Sequence, residues 1–166
     1  MLTTSSWTTR LTATTAPAAV VLIRFYLGVI FVCEGIQKFL YPEQLGTGRF
    51  DKAGIPAPGF FAPLDAVFEI GCGALILAGL LTRVAVIPMI VNMAGALLIT
   101  KLPILWSDAP LFSSGSGWWD FIHESRTDLA MLCGSVFLLF VGAGAWSLDA
   151  RLHTVSTSAT APTPSP

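Results

Sequence analysis

The chain alternates between long apolar runs and short polar segments. Four apolar runs are each close to the ~20 residues that a helix needs to cross a ~30 Å hydrocarbon core. They are Val20–Leu40, Phe60–Leu81, Val84–Leu105 and Leu129–Trp146. This pattern predicts an all-α membrane protein, a four-transmembrane-helix bundle in which helices that follow each other along the chain are antiparallel neighbours.

The segments around the runs carry loop and tail signals. Tyr41-Pro42 ends the first run, and Gly79 to Arg83 is short enough for a tight hairpin. The connection 106–128 is longer than most bundle loops, and such loops are often functional. Residues 1–19 and 151–166 are rich in Thr, Ser, Ala and Pro, which predicts disordered tails on either side of one transmembrane domain at 20–150.

Composition supports a membrane location and limits the function. Hydrophobic residues make up 54% of the 166 residues and charged residues only 11%, against roughly 25% charged in an average soluble domain. Four spans leave no room for a separate catalytic domain, so we expect no independent enzyme activity. The net charge is −1 and the basic residues are scattered, so the expected partner is the lipid bilayer and not nucleic acid.

Several ionisable residues lie inside the predicted spans, where a charge is costly unless it is paired or functional. Glu34 and Lys38 are close to the end of the first run, in the favourable i, i+4 order of acid before base. Asp65 and Glu69 are close to the start of the second run, also one turn apart. Because the chain reverses between the runs, all of them are expected at one depth.

Two like charges on one helical face in a low dielectric are not expected to be ionised together. We therefore predict a polar pocket near one membrane face. Its candidate residues are the proton carriers Glu69, Glu34 and Asp65, and the ligand-binding residues Lys38, Lys101 and Trp118.

A structural interpretation competes with the functional one. Ionisable groups near helix ends often form salt bridges that only fix helix packing. Glu69 is harder to explain in this way, because it lies about two and a half turns into its run. Arg24, in the opposite half of the membrane, is expected to pair with Asp149, and Asn92 is expected to hydrogen-bond between helices.

Cysteine and histidine positions argue against several cofactors. Cys33, Cys72 and Cys133 lie in three different runs without a Cys-x-x-Cys motif, so we interpret them as packing residues, with a Cys33–Cys133 redox pair as the alternative. The two histidines, His123 and His153, lie outside the runs, so the bundle cannot supply a bis-His haem site or a His-rich copper site. We predict no metal site and no covalently bound cofactor.

Short motifs along the chain resemble the DoxX family. They are Arg24-Phe25-Tyr26-Leu27-Gly28, Gly35 to Lys38, Lys52-Ala53-Gly54-Ile55-Pro56, Glu69-Ile70-Gly71-Cys72-Gly73-Ala74, Gly79-Leu80-Leu81-Thr82-Arg83 and Gly142-Ala143-Gly144-Ala145-Trp146-Ser147-Leu148-Asp149. The resemblance implies a small four-helix protein of the bacterial plasma (inner) membrane. Some members of the family are thought to join membrane oxidoreductase assemblies that handle oxidative and thiol stress.

Two functions remain open at this point. In the first, which the resemblance favours, the protein is a membrane subunit of a redox assembly, quinone-linked or thiol- and sulfur-linked, in which other subunits supply electrons. The polar pocket would then accept a quinone head group at Lys38, Lys101 and Trp118. In the second, it is a non-catalytic anchor or assembly factor with a structural salt-bridge cluster. The clustering of charge at one depth favours the first, and the absence of a cofactor ligand set in the sequence favours the second.

Overall fold

A computed structural model of the chain describes residue 14 and residues 16–106, 109–112 and 116–152. These residues form helices and turns, which confirms the all-α prediction for them. The helices are α1 (Val20–Leu40), α2 (Thr47–Lys52), α3 (Pro58–Ala78), α4 (Thr82–Ala96) and α5 (Trp118–Val141), with a last helical segment at 148–152. Helix α4 continues as a π-helical turn, Leu97–Lys101, and a 3-10 segment, Leu102–Trp106.

Three of the helical segments in the described residues are long and apolar enough to cross a membrane. They are Val20–Leu40, Pro58–Ala78 and Thr82–Trp106. The first has the predicted bounds, and the other two agree closely with the predicted runs. The protein is therefore a multi-pass membrane protein.

The predicted fourth span, Leu129–Trp146, is not confirmed. Helix α5 begins at Trp118, within the segment that was expected to be a loop, and ends at Val141 because Gly142 leaves the helical conformation at φ 83°. Its first half carries Asp120, Glu124, Arg126 and Asp128, so the helix combines a polar half with an apolar half. The apolar run did not indicate the start of the helix, because polar residues can form its first turns.

The helices pack as two pairs, α1 with α3 and α4 with α5. Glycines bring α1 and α3 together: a Cβ at Gly28 would lie 2.8 Å from the carbonyl oxygen of Gly73, and a Cβ at Gly73 would lie 2.9 Å from a Val32 methyl carbon. Such short distances allow no side chain, so the two backbones touch. Leu27, Phe31, Ile76, Met89 and Leu138 are fully buried between the pairs.

Arg24 joins the last turn of α3 to the non-helical segment that follows α5, at the end of the bundle opposite the predicted site. Its guanidinium donates to the carbonyl oxygens of Ile76 (2.9 Å), Leu77 (2.6 Å), Ala143 (3.2 Å) and Trp146 (2.6 Å). The last carbonyls of a helix have no partner within it, and a buried guanidinium has five donors for them. The expected pairing with Asp149 is thus an electrostatic interaction without a direct salt bridge among the described residues.

Asp149 instead serves as a helix cap. Its carboxylate accepts from the backbone N–H groups of Leu81 (2.8 Å), which precedes α4, and Thr82 (3.1 Å), the first residue of α4. Asp149 comes from the far end of the chain, yet it satisfies the free N–H groups as a local capping residue would. Arg24 and Asp149 thus fix the α3–α4 hairpin to the chain segment that follows α5.

The predicted tails lie mostly outside the described residues. Residues 1–13, 15 and 153–166 are in this group, so disorder there stays a prediction. At the near edge of the N-terminal segment, the Thr14 hydroxyl accepts from the N–H of Gly144 (2.9 Å) and the Ala16 carbonyl accepts from the N–H of Ala145 (3.1 Å).

Candidate functional site

Four polar side chains from three helices form what we call the inner cluster: Lys38, Asp65, Glu69 and Asn92. The Lys38 ammonium contacts the Asp65 carboxylate and lies 2.7 Å from Oε2 of Glu69. Asn92 donates from Nδ2 to Oε1 of Glu69 at 2.9 Å. The Glu69 side chain is only 3% exposed and that of Lys38 12%, so the cluster lies inside the bundle.

Local sequence explains why these side chains meet. Lys38 lies in the last turn of α1, where a cation also interacts favourably with the helix dipole. Gly35 lies about one turn earlier, and a Cβ there would be 2.7 Å from the carbonyl oxygen of Ala66 and 3.0 Å from Cβ of Glu69. Glycine at position 35 therefore lets α1 approach α3 at the level of the carboxylates.

A second group, the rim cluster, consists of Lys101, Glu124 and Asp128. The Lys101 ammonium lies 3.8 Å from Oδ2 of Asp128 and 4.0 Å from Oε2 of Glu124. It also lies 4.0 Å from the centre of the Phe112 ring, within cation–π range. Lys101 is the last residue of the π-helical turn, and it is buried despite its charge.

The π-helical turn is itself informative. A π turn inserts an extra residue into a helical repeat, so it rotates every following side chain relative to a regular α-helix. Leu97–Lys101 forms such a turn, and Lys101 is the one buried residue in it. Turns of this kind are frequent at functional sites.

A cavity of about 940 Å³ lies between the two clusters. This volume is within the range of known small-molecule sites. Helices α1, α3, α4 and α5 all contribute to its walls, and α2 contributes Arg49 and Phe50. The polar residues of its lining are Glu34, Lys38, Arg49, Asp65, Glu69, Asn92, Thr100, Lys101, Glu124, Arg126, Thr127 and Asp128.

The predicted site residues occupy different places around this cavity. Lys38, Asp65 and Glu69 are in direct contact, and Lys101 reaches the cavity from the other helix pair. Glu34 lines the cavity on the exposed side of α1, and Lys38 pairs across to α3 and not with its i−4 neighbour. Trp118 is 58% exposed and is not part of the cavity lining.

One expectation about the site is confirmed, and one feature was missed. Asn92 was expected to hydrogen-bond between helices, and it donates from α4 to Oε1 of Glu69 on α3. The segment of helix α2 was interpreted as part of a loop. It is helical, and the centre of its Phe50 ring lies 5.8 Å from the Lys38 ammonium. The basic and aromatic residues between two runs could have indicated a cover over the site.

The cysteines are free thiols. Cys33 and Cys133 are exposed, and Cys72 is buried. None of them is among the residues that line the cavity.

Comparison with known proteins agrees with the architecture. The family profile of DoxX matches residues 19–102. An uncharacterized membrane protein of Mycobacterium tuberculosis is 51% identical over 153 residues, which cover 92% of each chain. The chain therefore belongs to the DoxX family of membrane proteins.

A more distant relative carries a functional name. The Bacillus subtilis protein CatD, provisionally named as an oxidoreductase, is 30% identical over 128 residues, or 77% of this chain and 82% of that protein. No solved structure matches the chain significantly.

Proposed function

We propose that this protein is a subunit of a redox assembly in the bacterial plasma membrane, and that its cavity binds the head group of a quinone. Other subunits supply the electrons, and this chain supplies the binding site and the protons. A thiol- or sulfur-linked reaction is compatible with the same role, with the quinone as the electron acceptor.

The observation that carries the proposal is a buried cation between two acids at the wall of a cavity large enough for a ligand. The Lys38 ammonium lies between Asp65 and Glu69, and all three line the cavity. An ion pair that only stabilises helix packing does not need a cavity beside it. A polar group that binds a ligand must line a cavity. The provisional name of the relative CatD points in the same direction.

The chemistry fits the reduction of a quinone to a quinol. Each of the two carbonyl groups takes up one electron and one proton, and negative charge develops on oxygen before the proton arrives. Lys38 is placed to stabilise that charge. A neighbouring acid, Glu69 or Asp65, would first take up a proton from the rim of the cavity and then pass it to the quinone oxygen.

A second candidate is the anchor or assembly factor. The observation that favours it is that the buried charges of both clusters have partners of opposite sign: Lys38 has Asp65 and Glu69, and Lys101 has Asp128. A compensated cluster can hold helices in register without any ligand.

Binding to a charge-matched pair of variants separates the two candidates. The test variant Lys38→Met with Glu69→Gln removes one charge of each sign from the inner cluster. The control, Asp51→Asn with Lys52→Met, removes the same charges from the exposed surface of α2. The proteins are placed in lipid nanodiscs, and the binding of a soluble quinone is measured by equilibrium dialysis.

We expect the test variant to bind the quinone at least about tenfold more weakly, the equivalent of one lost polar contact of about 1.4 kcal/mol. The control should bind like the native protein. If the native protein binds no quinone, but the test variant still loses its partner proteins on native gels, the anchor function is supported and the quinone site is refuted.

A further inference from the structure

One wall of the cavity is apolar and exposed on the outside of the bundle. The exposed cavity residues of α3, α4 and the π-helical turn are all apolar and all lie within the two spans. We call them the lateral mouth: Phe61 (43% exposed), Leu64 (39%), Phe68 (46%), Val91 (68%) and Ile99 (46%).

The mouth lies where two helices are held apart. Helices α3 and α4 belong to different pairs, and they pack less closely than α1 packs on α3. The Asn92–Glu69 hydrogen bond joins them at 2.9 Å and closes the deep end of the gap. Nearer the rim, Gly95 of α4 lines the cavity, and a Cβ at this position would meet no atom within 4 Å.

The end of the cavity that faces water has a different cover. Helix α2 follows α1 directly at the rim, and its Arg49 and Phe50 line the cavity from there. The exposed lining residues Glu34, Arg126 and Thr127 of α1 and α5 are polar, whereas the exposed lining residues of the lateral mouth are all apolar.

We propose that the ligand reaches the cavity sideways from the bilayer, through the lateral mouth, and that it carries a long hydrocarbon tail. This inference rests on the proposed quinone site and names the class of quinone. The head would reach Lys38 and Lys101, while the tail would stay between α3 and α4 in contact with lipid. The tail then never leaves an apolar environment, which removes the main cost of moving such a molecule.

A pair of glycine substitutions tests the mouth. Gly95→Phe places a ring in the open space of the mouth. Gly71→Phe is the matched control, because it makes the same change in α3 at an exposed position that also has no neighbour within 4 Å and does not line the cavity. Two ligands are compared in nanodiscs, a decyl-substituted benzoquinone and the same ring with a methyl group in place of the decyl chain.

We expect Gly95→Phe to weaken binding of the decyl quinone by about tenfold or more, with a change of less than about threefold for the methyl quinone. Gly71→Phe should leave both affinities unchanged. Equal losses for both quinones in Gly95→Phe, or no loss at all, would overturn the lateral route while the quinone site itself stands. Failure of both quinones to bind the native protein would instead refute the proposed function.

Two additions keep the test decisive if Gly95→Phe does not fold. Val91→Trp narrows the mouth from its exposed edge, and Val84→Trp, at an exposed position of the same helix outside the cavity lining, is its control. A decyl quinone with a photoreactive group at the end of its tail should label the α3 and α4 residues of the mouth. Labelling confined to α1 or α5 would contradict the inference.

Discussion

Replacement of Lys38 by methionine tests whether the inner cluster is one electrostatic unit. Lys38→Met keeps a long apolar side chain but leaves Asp65 and Glu69 without their cation. At an effective dielectric constant of 20, two unit charges at the observed 2.7 Å attract each other by about 6 kcal/mol. This value is the gross attraction, and the net loss is smaller.

Proton uptake sets an upper limit on the loss. A carboxylate that has lost its cation can become neutral, and for a glutamate of ordinary solution pKa, about 4.3, this costs about 4 kcal/mol at pH 7. Breaking a buried ion pair typically costs about 3–5 kcal/mol. We therefore expect Lys38→Met to lower the free energy of unfolding by about 3 kcal/mol at pH 7.

The loss should depend on pH in a definite direction. The cost of protonating a carboxylate falls by about 1.4 kcal/mol for each pH unit below neutrality. The destabilisation by Lys38→Met should therefore shrink to about 1 kcal/mol at pH 5. Unfolding is followed by circular dichroism in mixed micelles of a mild detergent and dodecyl sulfate.

A double-mutant cycle completes this test. Adding Glu69→Gln to Lys38→Met should recover part of the loss, because one uncompensated carboxylate is removed. The control is Lys52→Met, the same substitution at an exposed position of α2, for which a change within about 0.5 kcal/mol is expected. Additive losses in the cycle, or an equal loss at pH 5 and pH 7, would refute the idea of a single buried charge cluster.

Three further predictions concern the scaffold. Arg24→Lys should destabilise the protein by about 2 kcal/mol or more in the same unfolding assay, because one ammonium cannot replace a guanidinium that donates to four carbonyls. An unchanged free energy of unfolding would mean that these hydrogen bonds contribute little. Gly35→Ala should cost about 1–3 kcal/mol through overpacking against α3, while Gly71→Ala, which meets no atom within 4 Å, should not destabilise. Reporter fusions at Thr4 and Ser158 should lie on the same side of the membrane; opposite sides would show that α5 does not cross it.

The sequence by itself determined the membrane location, the helical class, three of the spans and the family. The family was indicated by short motifs that resemble DoxX. The other properties follow from hydropathy and spacing along the chain, because a helix in lipid satisfies its own backbone hydrogen bonds whatever its neighbours are. The depth of the charged residues could be counted in the same way. The end of α5 could not, since Gly142 stops that helix within an apolar run.

Only the tertiary structure decided which charges meet. Glu34 lies one turn from Lys38 along α1, yet Lys38 pairs with Asp65 and Glu69 of α3, because glycine contacts bring the two backbones together there. Burial then strengthens the pairing, as water no longer screens it. Arg24 and Asp149 likewise bind helix ends, whose free carbonyl and N–H groups exist only after the helices have formed and assembled.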